Sequence, residues 1–374
     1  MKVTKIETFS GWASYCNWYF LRLETDNGLV GWGEGSFPGP LSAVQAAVQE
    51  MSALVLDREF EGTEVTWQRL YHAWRWRGGA VANTALSAFD LALWDLEGKS
   101  QKQPVYRLLG GAIRETVPAY SSHHLWKEPK QASVDARRAV ENGYSALKWV
   151  LASIWDNRNV AASIDKAVDI MAAAREGAGR GCELFIDCSE MLTVETAKRL
   201  SKALEDIDIG FLEEPLPFEN TKALIALIPE LKTRVATGER LLSRWEYREL
   251  IESGLGIVLQ PDLMHAGGLT EVRKIANAAD TYFQPVAPHN AGGPISTAAA
   301  VHLGLSIPNF LILETMDDER ALRDGICVQP MGPARGVFSM PTGTGLGIEL
   351  DVDKLRTLKH RPSPLGRAPR LWLG

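Results

Sequence analysis

The sequence has no surplus of positive charge: its 374 residues carry 40 Lys and Arg against 46 Asp and Glu, a formal net charge of -6. A chain of this balance offers no basic surface to a phosphate backbone or an anionic bilayer, which excludes nucleic-acid and membrane partners. A short C-terminal cluster (Lys354, Arg356, Lys359, Arg361, Arg367, Arg370) is too brief to change this and reads as a solvated tail. Long hydrophobic runs are also missing. The longest, residues 298–313, is interrupted by His302 and Pro308 and cannot span a bilayer. The opening MKVTKIETF lacks the apolar core of a signal peptide, and its Val3, Ile6, Phe9 spacing reads as structure. Cysteine is sparse, with Cys16, Cys182, Cys188 and Cys327 showing no CxxC pairing. Such thiols are expected to be buried and reduced, in a cytoplasmic protein. What remains, 45% hydrophobic and 23% charged, is an ordinary globular composition, long enough for two domains or one large barrel with additions.

The first 115 or so residues differ in character from the rest. Strands are expected over residues 2–8, 19–24 and 29–33, with Asp26-Asn27-Gly28 as a turn, followed by helices over 42–55 and 83–99. In the second helix Leu86, Phe89, Leu93 and Leu96 recur at helical spacing, and Gly98, Pro104 and Gly110-Gly111 punctuate its exit. Trp12, Tyr15 and Trp18 fall in an early loop. This part reads as a small α+β domain.

From Val117 short apolar runs alternate with longer helical stretches. Strands are expected over 117–122, 146–150, 183–187, 210–213, 235–239, 256–262, 282–289 and 310–314. Helical segments such as 133–142, 159–176, 194–205 and 269–279 lie between them. Eight strands with intervening helices are what a parallel α/β barrel requires. The rival, a doubly wound open sheet, calls for a glycine-rich phosphate turn after its first strand, and Ser121-Ser122-His123-His124 is not one. The tail from about Gly332 is turn-rich again. Its Gly343-Thr344-Gly345-Leu346-Gly347 runs into strand-like sequence instead of a helix, so it is taken as structural.

Asp187, Glu213, Glu239, Asp262, His289 and Glu314 each end an expected strand, at separations of 26, 26, 23, 27 and 25 residues, one strand-plus-helix unit each time. In a closed parallel barrel all these ends meet at one mouth, where active sites lie. A single acid there is more often a helix cap or an ion-pair partner. Six in register would repel one another unless a cation or shared protons compensated. The first three are all carboxylates, and oxygen-only ligation favours a hard cation, Mg2+, over zinc. Asp262 and His289, on adjacent strands, form a carboxylate-held imidazole suited to a general base.

Several stretches carry a family resemblance: residues 85–111 (ALSAFDLALWDLEGKSQKQPVYRLLGG), FLEEP at 211–215, TGER at 237–240, LQPDLMHAGG at 259–268 and APHN at 287–290. This ordered set, spread over nearly the whole chain, resembles the mandelate racemase subgroup of the enolase superfamily. Across GERLLSRWEY (238–247) it is similar to acid-sugar dehydratases of the galactonate dehydratase type. The resemblance implies a modified TIM barrel, (β/α)7β, over residues 116–331, under an α+β capping domain built from residues 1–115 and completed by the tail, 332–374. It implies Asp187, Glu213 and Glu239 as Mg2+ ligands, Asp262 and His289 as the base dyad, and Glu314 as a hydrogen-bond partner of the substrate carboxylate. It further implies an acid-sugar substrate and a symmetric homo-oligomer.

Two departures stand out. Many relatives carry Lys-x-Lys at the end of the second barrel strand, the second lysine being a base on the opposite face. Here the segment is Lys148-Trp149-Val150, so Lys148 survives as a carboxylate contact and Val150 moves no proton. Galactonate dehydratase-like members place a histidine two residues after the first metal ligand, and this chain has Ser189. Loss of the opposite-face base favours dehydration to a 2-keto-3-deoxy acid. The alternatives are a racemase or epimerase of 2-hydroxy acids, and a non-catalytic acid-sugar-binding member. His123 and His124 either line the mouth or sit in an exposed turn, and His72, His265 and His302 read as structural.

Overall fold

The computed structural model describes residues 1–13, 15–123 and 128–362. Its N-terminal part is an antiparallel sheet of β1 (Val3–Ala13), β2 (Cys16–Thr25) and β3 (Val30–Glu34), followed by α1 (Leu41–Ser52), α2 (Thr63–Tyr71), α3 (Ala80–Ser100) and α4 (Val105–Leu108). The β1–β2 hairpin is longer than expected, running in register from Val3 opposite Thr25 to Ala13 opposite Cys16. Trp12 and Trp18 are therefore strand residues, and the hairpin end brings the Tyr15 hydroxyl 2.8 Å from the carbonyl of Ala291. Ser10, Gly11 and Asn17 are poor strand formers, and they obscure the alternation from which a strand is read.

The second part alternates strand and helix. In order come β4 (Thr116–His123), α5 (Pro129–Glu141), β5 (Ala146–Val150), α6 (Val160–Ala178), β6 (Glu183–Asp187), α7 (Val194–Ala203), β7 (Phe211–Glu213) and α8 (Thr221–Leu227). They are followed by β8 (Val235–Thr237), α9 (Arg244–Glu252), β9 (Val258–Leu259), α10 (Gly268–Asp280), α11 (Pro294–Ser306) and β10 (Leu313–Thr315). The strands pair in parallel from β4 through β9, and β10 pairs back onto β4. The strand expected over 282–289 is reduced to Val286, bridged to Leu259 on one side and Phe310 on the other. Pro285 and Pro288 flank it and offer no N–H to a ladder, which limits the pairing to one residue. With that bridge the ring closes at eight positions.

One buried cluster fills the ring's interior with a residue from each position: Tyr120, Ala146, Phe185, Phe211, Ala236, Val258, Ala287 and Ile312. The rings of Phe185 and Phe211 stack with centroids 3.8 Å apart, and Tyr120 meets Phe185 edge-on. This apolar plug sets the phase of everything above it. Side chains two residues further along a strand share its face, and counting on from the plug reaches Lys148, Asp187, Glu213, Gln260, His289 and Glu314.

After β10 the chain forms α12 (Arg320–Gly325) and β11 (Val337–Ser339), the latter antiparallel to residues 116–118 at the start of β4. It then runs along the N-terminal part to α13 (Val352–Thr357). Leu346 N–H donates to Asp95 at 2.8 Å, the Trp32 indole donates to Glu349 at 2.8 Å, and Trp12 N–H donates to the Lys359 carbonyl at 2.9 Å. Helix α3 joins the N-terminal part to the barrel. Leu86, Phe89, Leu93 and Leu96 face a core shared with the antiparallel sheet, as their spacing anticipates. Asn83, Thr84, Ser87 and Asp90 form a polar stripe against the barrel loops. Asn83 donates to the Leu242 carbonyl, Ser87 accepts from Gly267 N–H, and Asp90 accepts from Thr270 N–H at the start of α10. Among the described residues no helix is long and apolar enough to cross a membrane.

Candidate active site

The strand ends carry a buried charged layer directly above the apolar plug. At its centre the Lys148 ammonium lies 2.8 Å from both oxygens of Glu213 and 2.8 Å from Glu314. Burial alone would pull Lys148 down, but the two carboxylates hold it well above its ordinary value, so it stays a cation. Glu314 is driven the other way, to about 2. Burial raises it, but Lys148 and His289 outweigh burial, and the Asn290 N–H adds a bond at 3.2 Å.

Asp187 and Glu213 are direct partners in the register of β6 and β7. Asp187 accepts from the backbone N–H of Ser189 at 2.6 Å and from its hydroxyl at 3.0 Å. Glu213 also accepts from the Gln260 amide at 2.6 Å. Glu239 stands out of phase with the plug, because the in-phase residue after Ala236 is Gly238. Gly238 adopts φ +130°, and a β-carbon there would lie 2.5 Å from the Tyr247 hydroxyl. Only glycine fits, and the bend carries Glu239 to the mouth, 2.9 Å from Arg240 and 3.4 Å from Nε2 of His289. Burial, reinforced by Asp187, raises Glu213 to about 7, and burial with Asp187 and Glu213 raises Glu239 to about 8.

His289 and Asp262 come together as the sequence anticipates, Nδ1 of the imidazole 2.6 Å from Oδ2 of the carboxylate. Pro261 ends β9 before Asp262, and the Met264 N–H fixes the other oxygen at 2.6 Å. Burial pulls His289 down, but Glu239, Asp262 and Glu314 overcome it and raise the ring to about 10. Asp262 is held below its ordinary value because His265 and His289 outweigh its burial.

Across the mouth, Val150 is the register partner of Asp187 and follows Lys148 by two on β5. His123 ends β4, and His124 lies outside the described residues. As the side chains stand, no three carboxylate, imidazole or thiol groups among the described residues converge on one ion position. The reason is visible in their partners: Glu213 is turned to Lys148, Asp187 to Ser189, and Glu239 to Arg240. The donor set nevertheless suits a hard divalent cation. Three carboxylates sit on successive strand ends; Asp187 raises the proton affinity of Glu213 and Glu239, and Glu213 that of Glu239, a repulsion that a cation would relieve.

Sequence reasoning did not identify several members of this neighbourhood. Gln260 could have been found by stepping two residues back from Asp262. Arg240 contacts Glu190, Glu214 and Glu239, while Glu190 and Glu214 both hold positive φ, features with no signal in a residue pattern. His265, read as a structural turn residue, lies beside Asp262.

Residues 131–354 match the enolase C-terminal domain-like family, and residues 10–110 match the mandelate racemase / muconate lactonizing enzyme N-terminal domain. A D-galactonate dehydratase of Pectobacterium atrosepticum is 36% identical over 320 residues, covering 84% of this chain and 81% of that protein. A D-galactonate dehydratase of Klebsiella pneumoniae is 32% identical over 386 aligned positions, covering 100% and 97%. The crystal structure of an enolase superfamily member from Salmonella Typhimurium superposes with a TM-score of 0.89 at 28% identity, covering 95% and 98% of the two chains.

Proposed function

The chain belongs to the enolase superfamily, in its mandelate racemase subgroup, and is a hydro-lyase; from that premise we propose that it dehydrates an acid sugar to a 2-keto-3-deoxy acid. The observation that carries the reading is the His289–Asp262 pair at 2.6 Å, set beside a Lys148–Glu314 pair at 2.8 Å and across the mouth from Val150.

A carbon acid next to a carboxylate is weak, because ionisation adds charge to a group already charged. Lys148, buried and protonated, supplies fixed positive charge toward the substrate carboxylate. Glu314 and the Asn290 N–H orient Lys148 and that carboxylate end of the site. Asp262 holds the Nδ1–H of His289, and with Glu239, the carboxylate that chiefly keeps the ring protonated, offset by a cation, Nε2 is free to take the α-proton. The electron pair released forms the α,β double bond as the β-hydroxyl departs, taking the proton now on Nε2 of His289 to leave as water, and the resulting enol tautomerises to the keto acid. Asp187, Glu213 and Glu239 would hold Mg2+, which when bound supplies positive charge beside the developing ene-diolate. Ser189 takes no part as an acid, since its hydroxyl is committed to Asp187.

In this reading residues 1–115 and the tail from 332 form a cap over the barrel of residues 116–331, supported by the Trp32–Glu349 and Trp12–Lys359 bonds. The family resemblance supports a symmetric homo-oligomer, and four free, buried cysteines support work in the cytoplasm. The test is a screen of mono- and diacid sugars with Mg2+, read as 2-keto acid formation. One or a few stereoisomers should be consumed. Interconversion of epimers without keto acid would replace dehydration with the epimerase alternative.

A further inference from the structure

His265 follows Asp262 in the turn after β9, and the structure gives it a defined seat between the N-terminal part and the base. Its Nε2 lies 4.0 Å from Oδ2 of Asp262, the same oxygen that Nδ1 of His289 approaches to 2.6 Å. Its Nδ1 lies 2.9 Å from the Thr84 hydroxyl on α3. Phe37, in the loop after β3, packs edge-on against the ring with centroids 5.7 Å apart. The backbone is held too, by the His265 N–H on the Asp262 carbonyl at 3.2 Å. Desolvation lowers the proton affinity of this imidazole, so it is neutral and carries one N–H.

Which nitrogen carries that proton follows from what each faces. With the proton on Nδ1, the Nε2 lone pair would point at a buried carboxylate, lone pair against negative charge. With the proton on Nε2, the N–H dipole points at Oδ2, and Nδ1 accepts from the Thr84 hydroxyl. A threonine hydroxyl can donate or accept, so the carboxylate decides. Thr84 is itself fixed, because Asn83, Ser87 and Asp90 on the same face of α3 are all bonded to barrel loops.

We propose that His265 is a positioning residue for the base, an inner member of a Thr84–His265–Asp262–His289 chain through which the docking of α3 is felt at Nε2 of His289. The Nε2–H dipole of His265 steadies the Asp262 anion and directs Oδ2 to His289 Nδ1. That keeps His289 in the tautomer whose free nitrogen faces the substrate. The proposal rests on the reading of His289 as the general base.

The experiment uses the full chain with Mg2+. Histidine labelled with heavy nitrogen, read by long-range proton–nitrogen spectra, should show His265 as the Nε2–H tautomer, its signals assigned by their loss in His265→Gln. An Nδ1–H tautomer would overturn the proposal, and this arm needs no turnover. On the best acid sugar, His265→Leu should lower kcat about tenfold or more with KM changed less than about twofold. His265→Gln, which keeps an N–H near the ε position, should retain most of kcat. Thr84→Val, a milder change, should lower kcat in the same direction, and adding it to His265→Leu should cost nothing further. Wild-type kcat in the leucine variant, or fully additive losses in the double variant, would refute the chain. A wild-type enzyme inert on every acid sugar would count against the proposed function, and the tautomer would still decide this inference.

Discussion

The ammonium of Lys148 is shared between Glu213 and Glu314, 2.8 Å from each, at the floor of the mouth where all three side chains are buried. This arrangement makes Lys148 a structural counter-charge, whatever contact it makes with substrate in the proposed mechanism. Replacing it with methionine keeps the volume and strands two buried carboxylates. Lys148→Met should cost about 3–5 kcal/mol of stability, the usual penalty for breaking a buried pair. Thermal melts should show a clear drop in Tm, and a melt within a degree or two of wild type would show that the pair is not load-sharing.

Metal binding should depend on Glu213 and, through geometry, on Gly238. Glu213→Gln removes a charged oxygen donor. Gly238→Ala forces a β-carbon against the Tyr247 hydroxyl and so displaces Glu239. Calorimetric titration with Mg2+ should show each variant binding at least about tenfold more weakly than wild type. Wild-type affinity in Glu213→Gln would remove it from the ligand set.

The base is expected to act on one face only. A racemase needs a proton-moving group on each side of the α-carbon. In the proposed mechanism His289 serves one side, while Val150 stands on β5 at the other side of the ring. In D2O with Mg2+, proton NMR should show the α-hydrogen exchanged or eliminated from one epimer alone. His289→Asn should abolish this, and Val150→Ala should leave it largely intact. Deuterium entering both epimers at comparable rates would require a second base.

His302 gives a prediction for stability against pH. Its Nδ1 accepts from the Tyr106 N–H at 3.1 Å, and burial lowers the ring from 6.5 to about 4, partly opposed by the backbone of Leu346. Between those two values the unfolded chain binds the proton that the folded chain excludes. Stability contributed by the neutral ring is therefore present above about pH 6.5 and is lost as pH falls toward 4, by up to about 3 kcal/mol. His302→Asn keeps an acceptor near Nδ1 and cannot be protonated there. Its Tm should fall less than that of wild type between about pH 7 and about pH 4.5, and parallel losses would contradict the assignment.

The sequence by itself determined the order of elements and much of the site, because both are periodic. Leu86, Phe89, Leu93 and Leu96 mark a buried helix face, and the even separation of Asp187, Glu213, Glu239, Asp262, His289 and Glu314 marks one barrel unit after another. Local chemistry also set several boundaries, as where Pro285 and Pro288 cut a strand to Val286. Beyond the Asp262–His289 pair, which the sequence anticipates, tertiary structure decided which groups pair. Lys148 meets Glu213 across 65 residues, and Thr84 meets His265 across 181, distances over which no spacing rule operates. The physical reason is the barrel's closure. The plug of Tyr120, Phe185, Phe211 and their neighbours fixes which strand faces point inward, and the charges above it then choose partners by proximity and desolvation, neither of which is written along the chain.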